Sequence, residues 1–446
     1  MKIKSFSMGG VHPPDSKLSA EQPIENLPIP PLVSIPLSQH LGAIAEPIVQ
    51  KGDTVKTGQL IGQAAGYISA NIHSSVSGKV EKIDDILDST GYRRKAVIIK
   101  TEDDIWDSSI DRSTNIITNI NLSSEEIVQR IKDAGIVGLG GAGFPTHVKL
   151  VPPPGKKCEV LIINGVECEP FLTSDHRLML EKTEEILVGT TLMMNVLNVN
   201  RAIIGIENNK KDAIQAFETL VRAYKGISVQ PLKVKYPQGG EKQLIEACIN
   251  RRVPSGKLPI ETGAIVDNVG TIFAVYEAVM KNKPLFERVV TISGTSVKNP
   301  SNFLVRIGTP ISALIEAIGG MPEDTAKIVN GGPMMGKALS TTELPITKGC
   351  SGILLLPQKI TQRPEVQNCI RCSKCIMACP MGLSSYHLIE LVKREIWDQA
   401  EKERIMDCIE CASCSYACPA ARPLLDYCRY GKNRVGEIIK LRTMKN

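Results

Sequence analysis

The sequence contains few aromatic residues, no long apolar run and only a small excess of charge. Phe, Trp and Tyr make up 4% of the 446 residues, and the net charge is +6. Proteins that bind nucleic acid combine a strongly basic surface with aromatic stacking platforms, so we expect no nucleic acid partner. No stretch approaches the roughly 18 consecutive apolar residues of a membrane span, and residues 1–14 lack the apolar segment of a secretory signal. We therefore expect a globular chain that attaches to a membrane only through partners.

Cysteine, in contrast, is abundant: the chain has 13, and most of them form a repeat. One C-x2-C-x2-C-x3-C-P run occurs twice, first at Cys369, Cys372, Cys375 and Cys379 and then at Cys408, Cys411, Cys414 and Cys418. The run is typical of [4Fe-4S] ferredoxins, so its duplication predicts two clusters. In two-cluster ferredoxins the fourth cysteine of each run ligates the other cluster, which groups Cys418 with the first run and Cys379 with the second. The repeat therefore predicts electron transfer.

Zinc sites and disulfide bonds explain these thiols less well. Zinc sites usually use separated C-x2-C pairs, whereas each run here packs four thiols into 11 residues and ends before a proline. Disulfides are disfavoured because cysteines so close in sequence cannot all adopt bridge geometry. The remaining cysteines are expected to be mostly buried thiols; they are Cys158, Cys168, Cys248, Cys350 and Cys428.

The length and the changing periodicity predict a multidomain α/β protein with four domains. Residues 32–100 are rich in short β-like stretches broken by turns, and they predict a small β-sandwich within a first domain at residues 1–110. The pattern resembles the barrel-sandwich fold of biotinyl and lipoyl carriers. Because the hairpin at residues 67–71 has no lysine to carry a prosthetic group, we expect this domain to be structural.

From about residue 120, helical and strand-like segments alternate, which indicates an α/β domain over residues 111–286. Ser123 or Ser124 can cap a helix that ends at Gly135. A long helix is predicted from about Leu178 to Leu197.

Two smaller domains complete the predicted chain. Residues 287–357 predict a small β-grasp-like domain with one helix at residues 311–318, and residues 358–446 carry the cysteine runs. Between the runs, residues 383–404 have helical periodicity, so the cluster domain should be helical. The apolar residues expected to share one face of that helix are Leu388, Leu391, Val392 and Ile396.

A glycine-rich loop at residues 138–143 matches G-x-G-x-x-G, and Glu167 and Glu169 follow at the distance expected of a ribose-binding acid. A Rossmann fingerprint needs a strand before its first glycine, but here a helix precedes it, which argues against the standard βαβ unit. The bare backbone N–H groups, with Pro145 as a first helical residue, can still cradle a phosphate or lie against a flat ring. A purely structural glycine turn is the alternative.

Two motifs identify a family. Residues 138–149, GLGGAGFPTHVK, resemble the flavin loop GRGGAGFPTGLK of the NADH-binding flavoprotein subunit of respiratory complex I. Residues 164–170, NGVECEP, resemble its second motif, NADExEP. Together with residues 9–14, GGVHPP, the carrier-like domain and the twin cysteine runs, nearly the whole chain resembles the RnfC subunits of Rnf electron-transport complexes.

The resemblance implies a non-covalently bound FMN in residues 111–286, with NADH stacked over it. The residues implied to hold the flavin are Gly138, Gly140, Gly141, Gly143, Lys149, Asn164, Glu167 and Asn268. Those implied to serve NADH are Phe144, Glu169, Glu241 and Lys257, with Glu169 expected to be catalytic. The chain departs from the complex I pattern at Val166, where that family has an aspartate, and at Gly240, where it has a glutamate. Some polar contacts to the flavin must therefore be lost or remade.

The function implied by the resemblance is that of a peripheral subunit on the cytoplasmic side of the cell membrane. NADH exchanges a hydride, whereas an iron–sulfur cluster accepts one electron, so a flavin must stand between them. The implied partners are integral membrane subunits, an iron–sulfur subunit and, through the complex, ferredoxin, with coupling to Na+ or H+ movement. The alternatives are a cobalamin reductase, a diaphorase-type NADH dehydrogenase subunit and a non-enzymatic iron–sulfur scaffold.

Overall fold

A computed structural model describes residues 2–445 of the chain. Its first eight strands include the predicted β-sandwich: β1 (Ile24–Asn26), β2 (Leu32–Pro36), β3 (Glu46–Pro47), β4 (Thr54–Val55), β5 (Leu60–Gln63), β6 (Ile72–His73), β7 (Gly78–Leu87) and β8 (Arg93–Thr101). Two antiparallel sheets, in the orders β2-β8-β7-β4 and β3-β5-β6, face each other. Alternating side chains such as Val33, Ile35, Val97 and Ile99 fill the core between them, as period-2 strands require.

The second unit is a four-stranded parallel sheet with helices. Its elements are α1 (Ser124–Asp133), α2 (Thr146–Lys149), β9 (Val160–Gly165), α3 (Ser174–Glu181), α4 (Thr183–Leu197), β10 (Ala202–Glu207), α5 (Lys211–Leu220), β11 (Ile227–Leu232), α6 (Glu241–Ile249), β12 (Ala264–Asn268) and α7 (Val269–Met280). The strand order is β11-β10-β9-β12, so the chain reverses its direction of travel across the sheet between β9 and β12. Such a reversal opens a crevice at the carboxyl ends of the two strands, where α/β proteins bind ligands.

Helix boundaries in this unit differ from the prediction in two places. Ser123 caps α1 with a complete capping box, as expected, but Pro145 is the N-cap of α2 and not its first helical residue. The single helix predicted from Leu178 to Leu197 is wrong, because Lys182 leaves helical geometry with φ −132° and ψ 32° and separates α3 from α4. The Thr183 hydroxyl donates 2.6 Å to the Met179 carbonyl, a back-bond that bends helices, and two acids favour a new helix N-terminus just after it.

The third unit is a mixed sheet in the order β1-β14-β13-β17-β15-β16. Its own elements are β13 (Glu287–Ser293), β14 (Ser301–Arg306), α8 (Ile311–Ala317), β15 (Thr325–Asn330), β16 (Lys337–Leu339) and β17 (Gly352–Pro357). β1 pairs in parallel with the strand β14, so the segment before the β-sandwich is stitched into this sheet.

The cysteine region is helical, as predicted. Its helices are α9 (Gln358–Thr361), α10 (Lys374–Ala378), α11 (Ser385–Lys393), α12 (Trp397–Lys402), α13 (Ser413–Tyr416) and α14 (Leu424–Lys445). Leu388, Leu391 and Val392 are buried on α11, but the placement of Ile396 on the same face is wrong, since Ile396 is 43% exposed. Glu395, with φ 56°, ends the helical path before Ile396 and turns it away. Within residues 2–445, the helices are all too short or too polar to cross a membrane.

Candidate functional site

The eight repeat cysteines line two separate cavities of nearly equal size. One cavity, of about 380 Å³, is lined by Cys369, Cys372, Cys375 and Cys418, and we call this set the outer thiol cage. The other, of about 360 Å³, is lined by Cys379, Cys408, Cys411 and Cys414, which form the inner thiol cage. Each cage thus brings together the four thiols that the spacing groups, and four thiolates are the ligand set of a [4Fe-4S] cluster.

The two runs also share their backbone conformation. Arg371 and Ser373 in the first run and Glu410 and Ala412 in the second are left-handed, with φ between 53° and 61°. They occupy the same places relative to the cysteines of their runs, and none of them is glycine. Non-glycine residues rarely adopt this conformation, so its recurrence indicates that both loops are wrapped around the same kind of group.

The inner thiol cage packs directly on the parallel sheet unit. Tyr236 lies in one packed cluster with Val11, Ala378 and Cys411. The Gly10 amide donates 2.9 Å to the Ala378 carbonyl, and the Gln243 side-chain amide on α6 lies 3.5 Å from the Pro380 carbonyl. The N-terminal segment and α6 therefore hold the inner cage against the rest of the chain, whereas Cys369 and Cys372 of the outer cage are exposed.

The crevice between the carboxyl ends of β9 and β12, which we call the switch-point crevice, brings two predicted residues together. Asn164 and Asn268 lie at the ends of these strands and are paired in register. Asn268 accepts 2.8 Å from the Gly270 amide, which caps α7, and donates 2.7 Å to Asp175. Asn164 donates 2.9 Å to the Gly239 carbonyl, so both amides are held in fixed orientations at the strand ends.

The glycine loop lies against this crevice and is closed on itself. The Gly138 amide donates 2.9 Å to the Phe144 carbonyl, and the Leu139 amide donates 2.9 Å to the Thr271 hydroxyl. A Cβ added to Gly140 would lie 2.9 Å from Asn268, so the loop backbone approaches the crevice more closely than any side chain allows. Gly141 faces open space, with no atom within 4 Å of such a Cβ, and its backbone is exposed. The loop presents a bare peptide surface of the kind that fits a flat ring or a phosphate.

A charged cluster lies beside the loop. The Lys149 ammonium is 3.4 Å from Glu241 and 3.5 Å from Asp267, and it also donates to the Val266 carbonyl. Burial lowers the pKa of Lys149, but the two carboxylates outweigh this effect and raise the pKa overall, so the lysine stays charged. The buried Oδ2 atom of Asp267 has no hydrogen-bond partner among the described residues. An unpaired buried acceptor beside a cation suits a polar ligand that brings its own donors.

The two acids of the second motif are engaged by the backbone. The Glu167 carboxylate accepts 2.7 Å from the Asp175 amide and 3.1 Å from the His176 amide, at the start of α3. The Glu169 carboxylate accepts 3.0 Å and 2.8 Å from the amides of Met334 and Met335, in the turn between β15 and β16. Glu169 therefore links the flavin motif to the third unit, and Glu167 orients α3.

The remaining predicted residues occupy different surroundings. Phe144 closes the glycine loop, whereas Lys257 is exposed in a loop that is bonded to the cluster domain through Ser255 and Asp407, 2.5 Å apart. Val166 is fully buried, and its carbonyl accepts 2.8 Å from Lys210. A Cβ at Gly240 would meet the Gln243 side-chain oxygen at 2.6 Å, so Gln243 already fills the space of the side chain that is missing there.

Two buried lysines support the second motif, and sequence reasoning missed both. The Lys17 ammonium donates to the carbonyls of Glu167, Glu169 and Leu172 at 2.6–2.9 Å. Burial, with Lys210 as a second cause, lowers the pKa of Lys17 to about 8. A lone lysine in an irregular N-terminal segment carries no periodic signal, and nothing in the local sequence could have predicted its partners 150 residues away.

Comparison with known families matches four consecutive parts of the chain. They are an RnfC barrel sandwich hybrid domain at residues 5–104, a Nuo51 FMN-binding domain at residues 131–277, an SLBB domain at residues 289–338 and a 4Fe-4S dicluster domain at residues 364–422. These matches confirm the predicted fold class, and they confirm FMN and [4Fe-4S] clusters as the cofactors.

Three curated relatives, each an RnfC-type subunit, align with nearly the whole chain. The one from the proton-translocating ferredoxin:NAD(+) oxidoreductase complex of Clostridium ljungdahlii is 48% identical, covering 97% of this chain and 94% of the relative. The one from the Na(+)-translocating ferredoxin:NAD(+) oxidoreductase complex of Acetobacterium woodii is 42% identical, covering 96% of each chain. The one from the ion-translocating oxidoreductase complex of Rhodobacter capsulatus is 40% identical, covering 98% of this chain and 84% of the relative.

Proposed function

The chain belongs to the RnfC family of subunits of ion-translocating ferredoxin:NAD+ oxidoreductase (Rnf) complexes, and from this premise we propose that it transfers electrons between NAD(H), FMN and two [4Fe-4S] clusters. The names of its relatives agree with this function and not with the cobalamin reductase or diaphorase alternatives. The observation that carries the proposal is the direct packing of the inner thiol cage on the unit that contains the switch-point crevice.

The switch-point crevice is proposed to hold the flavin. FMN, when bound, exchanges a hydride with a nicotinamide and single electrons with metal centres. The bare peptides of Gly140 and Gly141 would lie beneath the ring, and Asn164 and Asn268 would present their fixed amides to it. Lys149 would face its polar edge or phosphate, and Asp267 would accept from the flavin with its unpartnered oxygen. Gly138, Gly143 and Glu167 support this site by fixing the loop and α3.

The nicotinamide is proposed to enter from the side of the glycine loop, between Phe144 and the third unit. Glu169 stands at that boundary, where burial raises the pKa of its carboxyl to about 7. A carboxyl that titrates near neutral pH can exchange a proton or contact a ribose hydroxyl, which supports its assignment as the catalytic acid. Glu241 and Lys257 are proposed to contact the remainder of the dinucleotide.

The packing of the chain sets the order of the clusters. Tyr236 and Gln243 fill the space between the second motif and the inner thiol cage, and both are buried. Electrons are therefore proposed to pass between the crevice and the inner cage, and then between the inner and outer cages. Cys375 and Cys379, which belong to different cages, lie on or next to the short helix α10, so the two cages are covalently adjacent.

The assembly follows from the family. We propose a peripheral subunit on the cytoplasmic side of the membrane, bound to integral membrane subunits and an iron–sulfur subunit, with ferredoxin reached through the complex. Relatives named for proton and for Na+ translocation both resemble the chain closely, so the coupling ion stays open.

Cofactor analysis of anaerobically purified protein tests the proposal. We expect about eight irons, about eight acid-labile sulfides and one FMN per chain, and NADH should bleach the flavin and cluster absorbance. A chain that keeps its iron but binds no FMN under flavin supply, and that does not react with NADH, would be an iron–sulfur scaffold and not this enzyme subunit.

A further inference from the structure

The two thiol cages differ in their surroundings. The inner cage is covered by Tyr236, Gln243 and the N-terminal segment, whereas the outer cage opens to solvent, with Cys369 and Cys372 exposed. Proteins that exchange electrons with a partner need one redox centre near the surface. Since only the outer cage has that position among the described residues, an electron that leaves the chain has its shortest exit there.

The surface around the outer cage is apolar. Val366 is 57% exposed, Ile370 is 70% exposed and Met377 is 66% exposed, and Tyr386 lies beside them at the edge of the cage. Single exposed apolar residues are ordinary, but several around one redox site mark an interaction surface. Residues 362–374 are all exposed, so this stretch has no cover within the described chain.

The rim of this surface is positively charged. Arg363, Arg371 and Lys374 stand in residues 362–377 against a single acid, Glu365. Arg371 and Lys374 form no ion pair within residues 2–445, whereas Arg363 is paired with Asp426 at 2.9 Å. Charges left without partners around an apolar centre give long-range attraction to a surface of opposite sign.

We propose that the surface formed by Val366, Ile370, Arg371, Lys374, Met377 and Tyr386, the outer face, is where an electron-carrying partner protein docks. The partner's docking surface has an apolar centre and an acidic rim, and its own one-electron centre comes to rest against the outer thiol cage. The inference rests on the proposed function and adds to it the surface through which electrons enter or leave. One electron crosses this contact at a time, so the outer cluster is oxidised as the partner is reduced, or the reverse.

The test uses the full chain loaded with its cofactors and membranes that carry the other subunits of the complex but lack this one. In one variant, Val366→Gln and Met377→Gln remove apolar contacts without changing charge. In a second, Lys374→Gln removes one rim charge. The matched control, Ile44→Gln with Ile48→Gln, changes two similarly exposed apolar residues of the β-sandwich, which are 47% and 50% exposed. All proteins are compared at equal iron and FMN content.

The apolar variant should bind the membranes about tenfold more weakly, and electron flow from NADH to the membranes should fall in proportion. The Lys374→Gln variant should lose part of the salt dependence of that flow, and the control should match wild type. Wild-type binding and flow in the apolar variant would overturn the proposal. A chain that self-associates through this face, or that binds protein-free vesicles through it, would assign the face to a second copy or to lipid and would also overturn it.

Bleaching of the isolated chain by NADH separates this proposal from the proposed function. If wild-type protein is bleached but the outer-face variants bind normally, only the docking assignment fails. If wild-type protein is not bleached at all, the proposed function itself fails.

Discussion

Gly140 and Gly141 are neighbours in the glycine loop, but the chain restricts them differently. At Gly140 an added Cβ would stand 2.9 Å from the Cβ of Asn268 and 3.0 Å from its Cγ and Nδ2 atoms. At Gly141 the same atom would meet nothing within 4 Å, and the backbone there does not need a positive φ. The fold therefore requires glycine at residue 140, whereas only a bound group can require it at residue 141.

The magnitudes follow from these contacts. Gly140→Ala must displace Asn268, which caps α7 and holds Asp175, so we expect the free energy of unfolding to fall by about 1–3 kcal/mol. Gly141→Ala meets no obstacle and reduces the freedom of the unfolded chain, so the free energy of unfolding should stay the same or rise by up to about 1 kcal/mol. With FMN against the same methyl group, overpacking of about 1–3 kcal/mol should weaken flavin binding by about tenfold to a hundredfold.

Two measurements on the same protein preparations decide the matter. Denaturant unfolding without added flavin gives the stability of the two variants relative to wild type, at matched iron content. Fluorescence titration with FMN gives the affinity. If Gly141→Ala binds FMN as tightly as wild type, the flavin does not lie over this loop. If it instead destabilises the flavin-free chain as much as Gly140→Ala does, the glycine is structural.

Three further predictions concern other parts of the molecule. Cys372→Ala should lower the iron content from about eight to about four per chain, whereas Cys158→Ala, in a buried thiol remote from both cages, should leave it unchanged. Glu169 has a pKa raised to about 7 from 4.5, so the stability it contributes is present below about pH 4.5 and is lost as pH rises through about 7; Glu169→Gln should remove this part of the pH dependence of unfolding. Arg422 lines the outer thiol cage and is held by Glu390 at 2.8 Å, so Arg422→Gln should lower the reduction potential of the outer cluster by tens of millivolts or so in an EPR redox titration, and an unchanged potential would mean that its charge does not reach the cluster.

The sequence predicts well what depends on local patterns. The capping box at Ser123, the helical cluster domain and the buried strands of both β units follow from residues close together in the chain, and so does the grouping of the cage thiols. The errors lie where a local pattern competes with tertiary contacts. Lys182 interrupts a helix that periodicity alone would continue, and Ile396 follows a left-handed residue that periodicity does not register.

The contacts that assemble the redox site could not be read from local patterns, because they join distant parts of the chain. Glu167 and Glu169 match a cofactor motif, but their carboxylates bond to backbone amides of α3 and of the β15–β16 turn. Lys17 makes three hydrogen bonds to the second motif and its flank from a segment without regular structure. These partners become neighbours only after the domains pack.

The N-terminal segment shows why the cofactor site and the cluster domain work as one body. Lys4 and Val11 bridge to Leu232 and Tyr236 at the edge of the parallel sheet, and Gly10 bonds to Ala378 of the inner-cage helix. At Gly9, an added Cβ would lie 2.4 Å from the Cys379 carbonyl, so the segment touches the backbone of a cage residue. This one short segment thus contacts the sheet, the second motif and the inner cage, and a shift of it would move all three together. The distance between the switch-point crevice and the inner cage is therefore set by the first residues of the chain, and not by a linker that could stretch.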